Sequence, residues 1–220
     1  MNTYFSNGLE YRMISENELS LCGIGSCTDE NIVVPEMIDG KTVISVDSFA
    51  FRRIDTIKSI SLPDSLDYIG AEAFAWCKHL ESITLDGVVQ ISERAFMGCD
   101  MLKSIKLDNK LDFIGKKAFA YCPSLASIEL PDSLDTLGAS AFEGCRALNS
   151  VILPDSLKSI ESGVFYACCE LKSINLPSNL TYIDEFAFAY CISLDKINIP
   201  SRAIVNQLAF YEANEGKLVS

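Results

Sequence analysis

The sequence has little basic charge: 18 lysines and arginines against 30 aspartates and glutamates, a formal net charge of −12. Phosphate neutralisation needs a basic stripe, so nucleic acid is excluded as the expected partner. An anionic membrane surface is disfavoured on the same ground. No run of 18 apolar residues occurs, so no membrane insertion is expected. The start, Met1 to Gly8, lacks a basic and then apolar leader and does not read as a secretory signal. Either the protein stays inside the cell or a signal lies outside this sequence, so its localisation is open. Histidine occurs once, as His79. Glycine-rich phosphate loops, paired zinc motifs and a Ser/His/Asp arrangement are lacking. These gaps give no support to an enzyme, a cofactor or a metal site.

The chain does contain apolar residues, 49% of 220, enough for a continuous core. They recur. A Ser-Ile or Ser-Val pair begins at Ser59, Ser82, Ser104, Ser127, Ser150 and Ser173, with Lys196 in the same place, at spacings of 22 or 23 residues. Aligned units give ladders. One runs Ile60, Ile83, Ile105, Ile128, Val151, Ile174, Ile197, and the next Leu62, Leu85, Leu107, Leu130, Leu153, Leu176, Ile199. A third runs Ile69, Ile91, Ile114, Leu137, Ile160, Ile183. Others are the phenylalanines from Phe51 to Phe188 and the leucines from Leu80 to Leu194. One such unit is too short to bury these side chains alone, whereas stacked units bury each against its equivalent. The Ile-x-Leu segment alternates as a strand does, and its copies would pair in parallel about 4.8 Å apart. Pro63, Pro131, Pro154, Pro177 and Pro200 then mark where pairing stops.

The pattern Leu-x-x-Ile-x-Leu-Pro-x-x-Leu-x-x-Ile-Gly-x-x-Ala-Phe-x-x-Cys, seen best in Leu125 to Cys145, resembles the BspA-like leucine-rich repeat. The resemblance covers about residues 32 to 200. Asp86 and Asp108 stand in the proline position and Val164 in the alanine position. The resemblance implies a right-handed leucine-rich-repeat solenoid of the α/β type. It would carry a parallel β-sheet on one face, mostly strand and loop with short helical turns. It also implies a cell-surface or secreted role in adhesion or protein binding, and brings no catalytic residues. Residues 1–31 read as an N-terminal cap, with Leu9–Ile14 and Glu18–Gly23 as a hairpin. Residues 32–200 form an array of about seven coils. Residues 201–220 are a partial coil or cap; an array that continues, or an open edge that pairs with another chain, are the alternatives.

Cysteine is the most tempting chemistry, with nine residues. Cys77, Cys99, Cys122, Cys145, Cys168 and Cys191 share one repeat position, held by Ile54 in the first unit. That substitution marks an apolar slot, and a linear stack does not converge as zinc ligands must. Cys169 must point elsewhere. Cys22 and Cys27 are either free or joined across a small loop. His79 sits at a variable turn position and reads as solvated. Asp64, Asp132 and Asp155 align after the proline; turn capping is the main reading and a cation or basic-partner site the other.

Binding is expected on the strand face, at positions between ladder residues: Lys58, Ser61, Glu81, Thr84, Lys103, Lys106, Glu129, Asn149, Ile152, Lys172 and Asn175. These columns vary while a serine column between them does not. Ile152 is the one apolar residue among them. The expected function is a non-enzymatic protein-interaction or adhesion module. A carbohydrate-binding surface and a structural segment of a longer cell-surface protein are the alternatives. The strand-face columns hold no aromatic ring, so a glycan would sit at the turn, by Trp76, Tyr121, Tyr166 and Tyr190. The protein partner is unspecified. A monomer is expected, with an edge-to-edge dimer through the C-terminal coil as the alternative.

Overall fold

The computed structural model describes residues 3–195 and 197–213. Lys196 and residues 214–220, part of the expected C-terminal segment, lie outside the described residues. The chain opens with β1 (Thr3–Ser6), β2 (Leu9–Ser15) and β3 (Glu18–Gly23), paired antiparallel in that order. Leu9, Tyr11, Leu19 and Leu21 are buried on one side of this sheet, as alternation requires. Then come β4 (Asn31–Val33), β5 (Met37–Ile38) and β6 (Lys41–Val46). β5 and β6 form a hairpin whose turn, Asp39 and Gly40, takes positive φ at both residues, the arrangement that matches strand twist. This hairpin makes the first unit, from Ile32 to its register partner Ile60, longer than the later ones.

From here each coil contributes one longer and one two-residue strand. The longer strands are β7 (Ser59–Ser61), β9 (Ser82–Leu85), β11 (Ser104–Leu107), β13 (Ser127–Glu129), β15 (Ser150–Ile152) and β17 (Ser173–Asn175). The short ones are β8 (Tyr68–Ile69), β10 (Gln90–Ile91), β12 (Phe113–Ile114), β14 (Thr136–Leu137), β16 (Ser159–Ile160), β18 (Tyr182–Ile183) and β19 (Ile204–Val205). Both sets pair in parallel with strict repeat register, Ile60 beside Ile83 and Ile69 beside Ile91. The molecule is a solenoid with two parallel ladders, one more than the sequence reading placed. The ladder of longer strands is interrupted between β11 and β13, and that of short strands between β14 and β16. The first interruption adjoins the coil in which Asp108 replaces proline. Among the described residues no helix forms; the expected helical turns are single turns such as Cys77 N to Phe74 O at 3.2 Å.

A third set of axial hydrogen bonds runs through the phenylalanine turns. The N–H groups of Phe51, Phe74 and Phe96 donate to the carbonyls of Ala73, Ala95 and Ala118, each one coil on, at 2.7–2.8 Å. Residues two before and two after each phenylalanine also turn their N–H along the axis, as Glu72 does to Glu93 O and Trp76 to Met97 O. To do so they adopt positive φ: Glu72, Trp76, Arg94, Lys117 and Tyr121 lie at 54–63°. A left-handed non-glycine residue costs roughly 1–2 kcal/mol, and hydrogen bonds on both sides hold it there. The rings stack inside, neighbouring centroids 5.1–5.8 Å apart, from Phe51 through Phe188 to Phe210. Gly70, Gly115 and Gly138 follow the short strands where backbones nearly touch. A β-carbon on Gly70 would fall 2.4 Å from the Ser48 nitrogen.

The hairpin is bolted to the first coil by charge. Arg12 donates to both Asp47 carboxylate oxygens, at 2.5 and 2.8 Å. Buried Ser20 donates to Asp47 at 2.6 Å and accepts from Ser45 at 2.8 Å. The aspartate holds Arg12 above its ordinary pKa, through a hydrogen bond and its charge. Asp47→Ala removes the acceptor from both partners and should cost about 1–3 kcal/mol. Hydrogen exchange should show protection lost first in β2 and β3 while the phenylalanine coils keep theirs; uniform loss would refute a local clip.

Candidate functional site

The cysteine ladder is core. All six thiols are buried, and Cys77, Cys99, Cys122, Cys145, Cys168 and Cys191 donate at 3.0–3.2 Å to the phenylalanine carbonyl of the preceding coil. A carbonyl oxygen has two lone pairs. At Phe74 one takes the Cys77 N–H and the other the Cys99 thiol. Cysteine is thus a small apolar filler that also donates. Ile54 fills the slot in the first unit, before any earlier phenylalanine turn needs a donor. Burial pushes the Cys77 and Cys191 thiols up to about 12 and raises Cys99, Cys145 and Cys168 well above the ordinary value.

Cys22 and Cys27 are free. They are directed apart: Cys22 toward the Glu10 carbonyl, Cys27 into the core. Cys169 is half-buried as its neighbour's orientation demanded. His79 is exposed and bonds the Asp55 carbonyl at 2.7 Å through Nδ1. Among the described residues no three histidine, cysteine or acidic side chains converge as metal ligands would. Turn carboxylates bond both within their own turn, as Asp108 does to the Asn109 N–H at 2.7 Å, and across coils. Asp155 accepts from the Ser178 N–H at 3.0 Å, and Asp55 from Lys78 N–H at 3.3 Å.

The eleven strand-face positions all reach solvent: Glu81 and Thr84 half-buried, the other nine exposed. The structure lines up Ser61, Thr84, Lys106, Glu129, Ile152 and Asn175 in one outward column. Lys58, Glu81, Lys103, Asn149 and Lys172 stand just before the strands. Ion pairs link coils along this face: Lys58 to Glu30 at 2.6 Å, Lys103 to Glu81 at 2.8 Å and Lys106 to Asp86 at 3.0 Å. Ile152 is 71% exposed.

Sequence reading missed a second outward column, on the short strands: Tyr68, Gln90, Phe113, Thr136 and Tyr182, all exposed. The signal was there, since each precedes a buried member of the Ile69 ladder, as strand alternation requires. On the turn side, Tyr166, Tyr190 and Tyr211 meet edge to face at 5.3 and 5.8 Å. Trp76 lies over Gly98, whose β-carbon would come within 2.3 Å of the indole. Tyr121 donates to Glu143, which lifts the phenol to about 12. Burial raises the Glu143 pKa, but hydrogen bonds from Tyr121 and Lys117 outweigh it and hold the carboxyl below its ordinary value.

These coils form a repeat scaffold that carries its variable residues on the outside of a uniform core. The BspA type leucine-rich repeat region matches residues 26–123 and 89–217 in 6 copies, and the chain belongs to that family. A leucine-rich repeat protein of T. pallidum shares 31% identity and superposes with a TM-score of 0.82, over 88% of this chain and 91% of that one. One from Bacteroides ovatus shares 28% with a TM-score of 0.65, over 91% of this chain and 60% of its own. One from Eubacterium ventriosum, at 23% and a TM-score of 0.69, is alike in fold, and this chain spans 50% of its length. Comparison with curated protein sequences finds no match. Among the described residues no helix is long and apolar enough to cross a membrane.

Two measurements follow. With a thiol reagent at mildly alkaline pH, folded protein should label only at the half-buried Cys22, Cys27 and Cys169, and unfolding should release the six ladder thiols; labelling of Cys99 or Cys145 in the folded state would refute the ladder. For Glu143, the folded pKa lies below the unfolded one. Its contribution is therefore present above the unfolded value of 4.5 and disappears as pH falls through the folded value. Glu143→Gln should flatten the acid limb of stability against pH; an unchanged limb would contradict the assignment.

Proposed function

We propose that the chain is a non-enzymatic protein-interaction module that binds through the face of its longer strands, in an adhesion or cell-surface setting as the family resemblance suggests. The observation that carries this is the contrast within one strand. Inward residues repeat as isoleucine and leucine, while the outward column runs Ser61, Thr84, Lys106, Glu129, Ile152, Asn175. Core ladders fix the coil, and the outward side chains are free to differ without disturbing it. The chemistry expected of an enzyme has no support in the arrangement: the six ladder thiols are buried, with Cys77, Cys99, Cys145, Cys168 and Cys191 raised by that burial, and the single histidine bonds a backbone carbonyl on an exposed turn. A monomer suits this reading, since binding needs only one copy's face.

A glycan-binding surface is the second reading. Tyr68, Phe113 and Tyr182 favour it, because exposed rings on a flat ladder suit the apolar faces of sugars. The two readings use different faces, so one experiment separates them. Photo-crosslinkers placed at Ser61, Thr84 and Lys172 should capture a protein partner that crosslinkers at Gln90 and Thr136 do not. Lys103→Glu with Lys106→Glu should change that partner's affinity at least about tenfold. Capture from the short-strand face alone, or a partner indifferent to both reversals, would overturn the strand-face reading.

A further inference from the structure

We propose that the strand face around Ile152 docks a cationic segment of a partner protein: an aliphatic or aromatic side chain carried between lysines or arginines. This rests on the strand-face reading and gives it a partner chemistry.

The fold has no use for an apolar residue here. Its equivalents Ser61, Thr84, Lys106, Glu129 and Asn175 are polar, and the other apolar member, Val33, stands in the first strand of the ladder; Ile152, within the array, is 71% exposed. A depression of about 370 Å³ lies on one side of it, floored by Ile128 and Leu130 and edged by Glu129. Another, of about 360 Å³, lies on the other side, between Leu130, Leu153 and the carboxylates of Asp132 and Asp155. Leu130 is half-buried, as Leu107 is in the preceding coil, where their equivalents Leu62, Leu85, Leu153 and Leu176 are buried. Leu130 sits next to the interruption in hydrogen-bond pairing between β11 and β13. The result is an apolar ridge with a hollow on either flank, able to seat one bulky side chain against Ile152 and Leu130.

Charge decides what that side chain is attached to. In the earlier coils the face neutralises itself, with Lys58, Lys103 and Lys106 each matched to an acid. Around Ile152 it does not. Among the described residues no cation pairs with Glu129, Asp132 or Asp155; Asp155 receives only the Ser178 N–H and hydroxyl, at 3.0 and 3.4 Å. Lys106, one coil before Glu129, is committed to Asp86. An acidic or neutral segment seated here would leave carboxylates desolvated and unmatched, whereas a cationic one completes them. A second copy would bring the same acids to the contact, in a chain of net charge −12, so self-association is opposed.

The test titrates three labelled nonapeptides onto the full chain by fluorescence anisotropy. One has a central leucine among lysines, one a central serine among lysines, and one a central leucine among glutamates. The lysine–leucine peptide should bind at least about tenfold more tightly than either other. Ile152→Ser should weaken it at least about tenfold, as should Glu129→Gln with Asp132→Asn, and rising salt should weaken the wild type more than the double variant. These residues are on the surface, so thermal melts should stay unchanged. Equal binding of the lysine–leucine and lysine–serine peptides, indifference to Ile152→Ser, or self-association of the chain that Ile152→Ser abolishes would each overturn the proposal. If the peptides fail while a partner still crosslinks to the strand face and depends on Lys103 and Lys106, the cationic assignment falls and the strand-face reading stands.

Discussion

The N–H of each repeat phenylalanine donates to the residue before the next phenylalanine, one coil on, and the rest of the molecule is arranged around that bond. It holds from Phe51, bonded to Ala73, through Phe188, bonded to Ala209. It keeps successive coils in one register on the side where neither strand ladder reaches. With register fixed, each ring meets the next nearly parallel, within 3–11°. The phenylalanine carbonyl is then left with a lone pair facing the following coil, and the cysteine thiol fills it. A larger side chain would crowd the slot and alanine would leave the acceptor half-used. The cysteine ladder is therefore a consequence of backbone geometry rather than a reagent.

The cost of this arrangement is conformational and falls on the residues two before and two after each phenylalanine. Glu72, Arg94, Lys117 and Phe186 are left-handed without being glycine. Where glycine does occur, it answers a neighbour. Gly98 and Gly144 lie under Trp76 and Tyr121 of the preceding coil, where even a β-carbon would collide. Large and small residues therefore alternate from Trp76 to Gly144 along that column, and the turn face is constrained by stacking. The strand face is not, because its outward side chains meet only each other and solvent.

The ladders were legible because a repeat shows each core position many times over. Ile60, Leu62, Ile69 and Phe74 declare themselves by their copies, and the family resemblance rests on the same residues. Features without a recurring residue were not legible. Left-handed backbone has no residue signature at Glu72 or Lys117, since inter-coil hydrogen bonds, not side chains, impose it. Tyr68, Phe113 and Tyr182 were signalled only by the ladder residue that follows each, because a two-residue strand offers no longer alternation. Ion pairs such as Lys103 with Glu81 join residues a whole coil apart, and only the register brings them together. Of the candidate site, the positions were readable and their charge balance was not.

That balance separates two halves of a face that looks uniform in sequence. A lysine and an acid in the same column cancel only if the axial register places them on adjacent coils. Lys106 could face Glu129 as its column neighbour, yet it reaches back to Asp86. The exposed acids near Ile152 therefore stand without an ion-pair partner among the described residues, beside an apolar ridge. Unpaired surface carboxylates alone are unremarkable, and so is one exposed isoleucine. Here they coincide with a hollow on either flank and half-buried Leu130 beneath. The core isoleucines, leucines and phenylalanines recur in those coils as in the others, so the fold does not call for isoleucine at 152; under the proposed docking it is the residue a partner would meet.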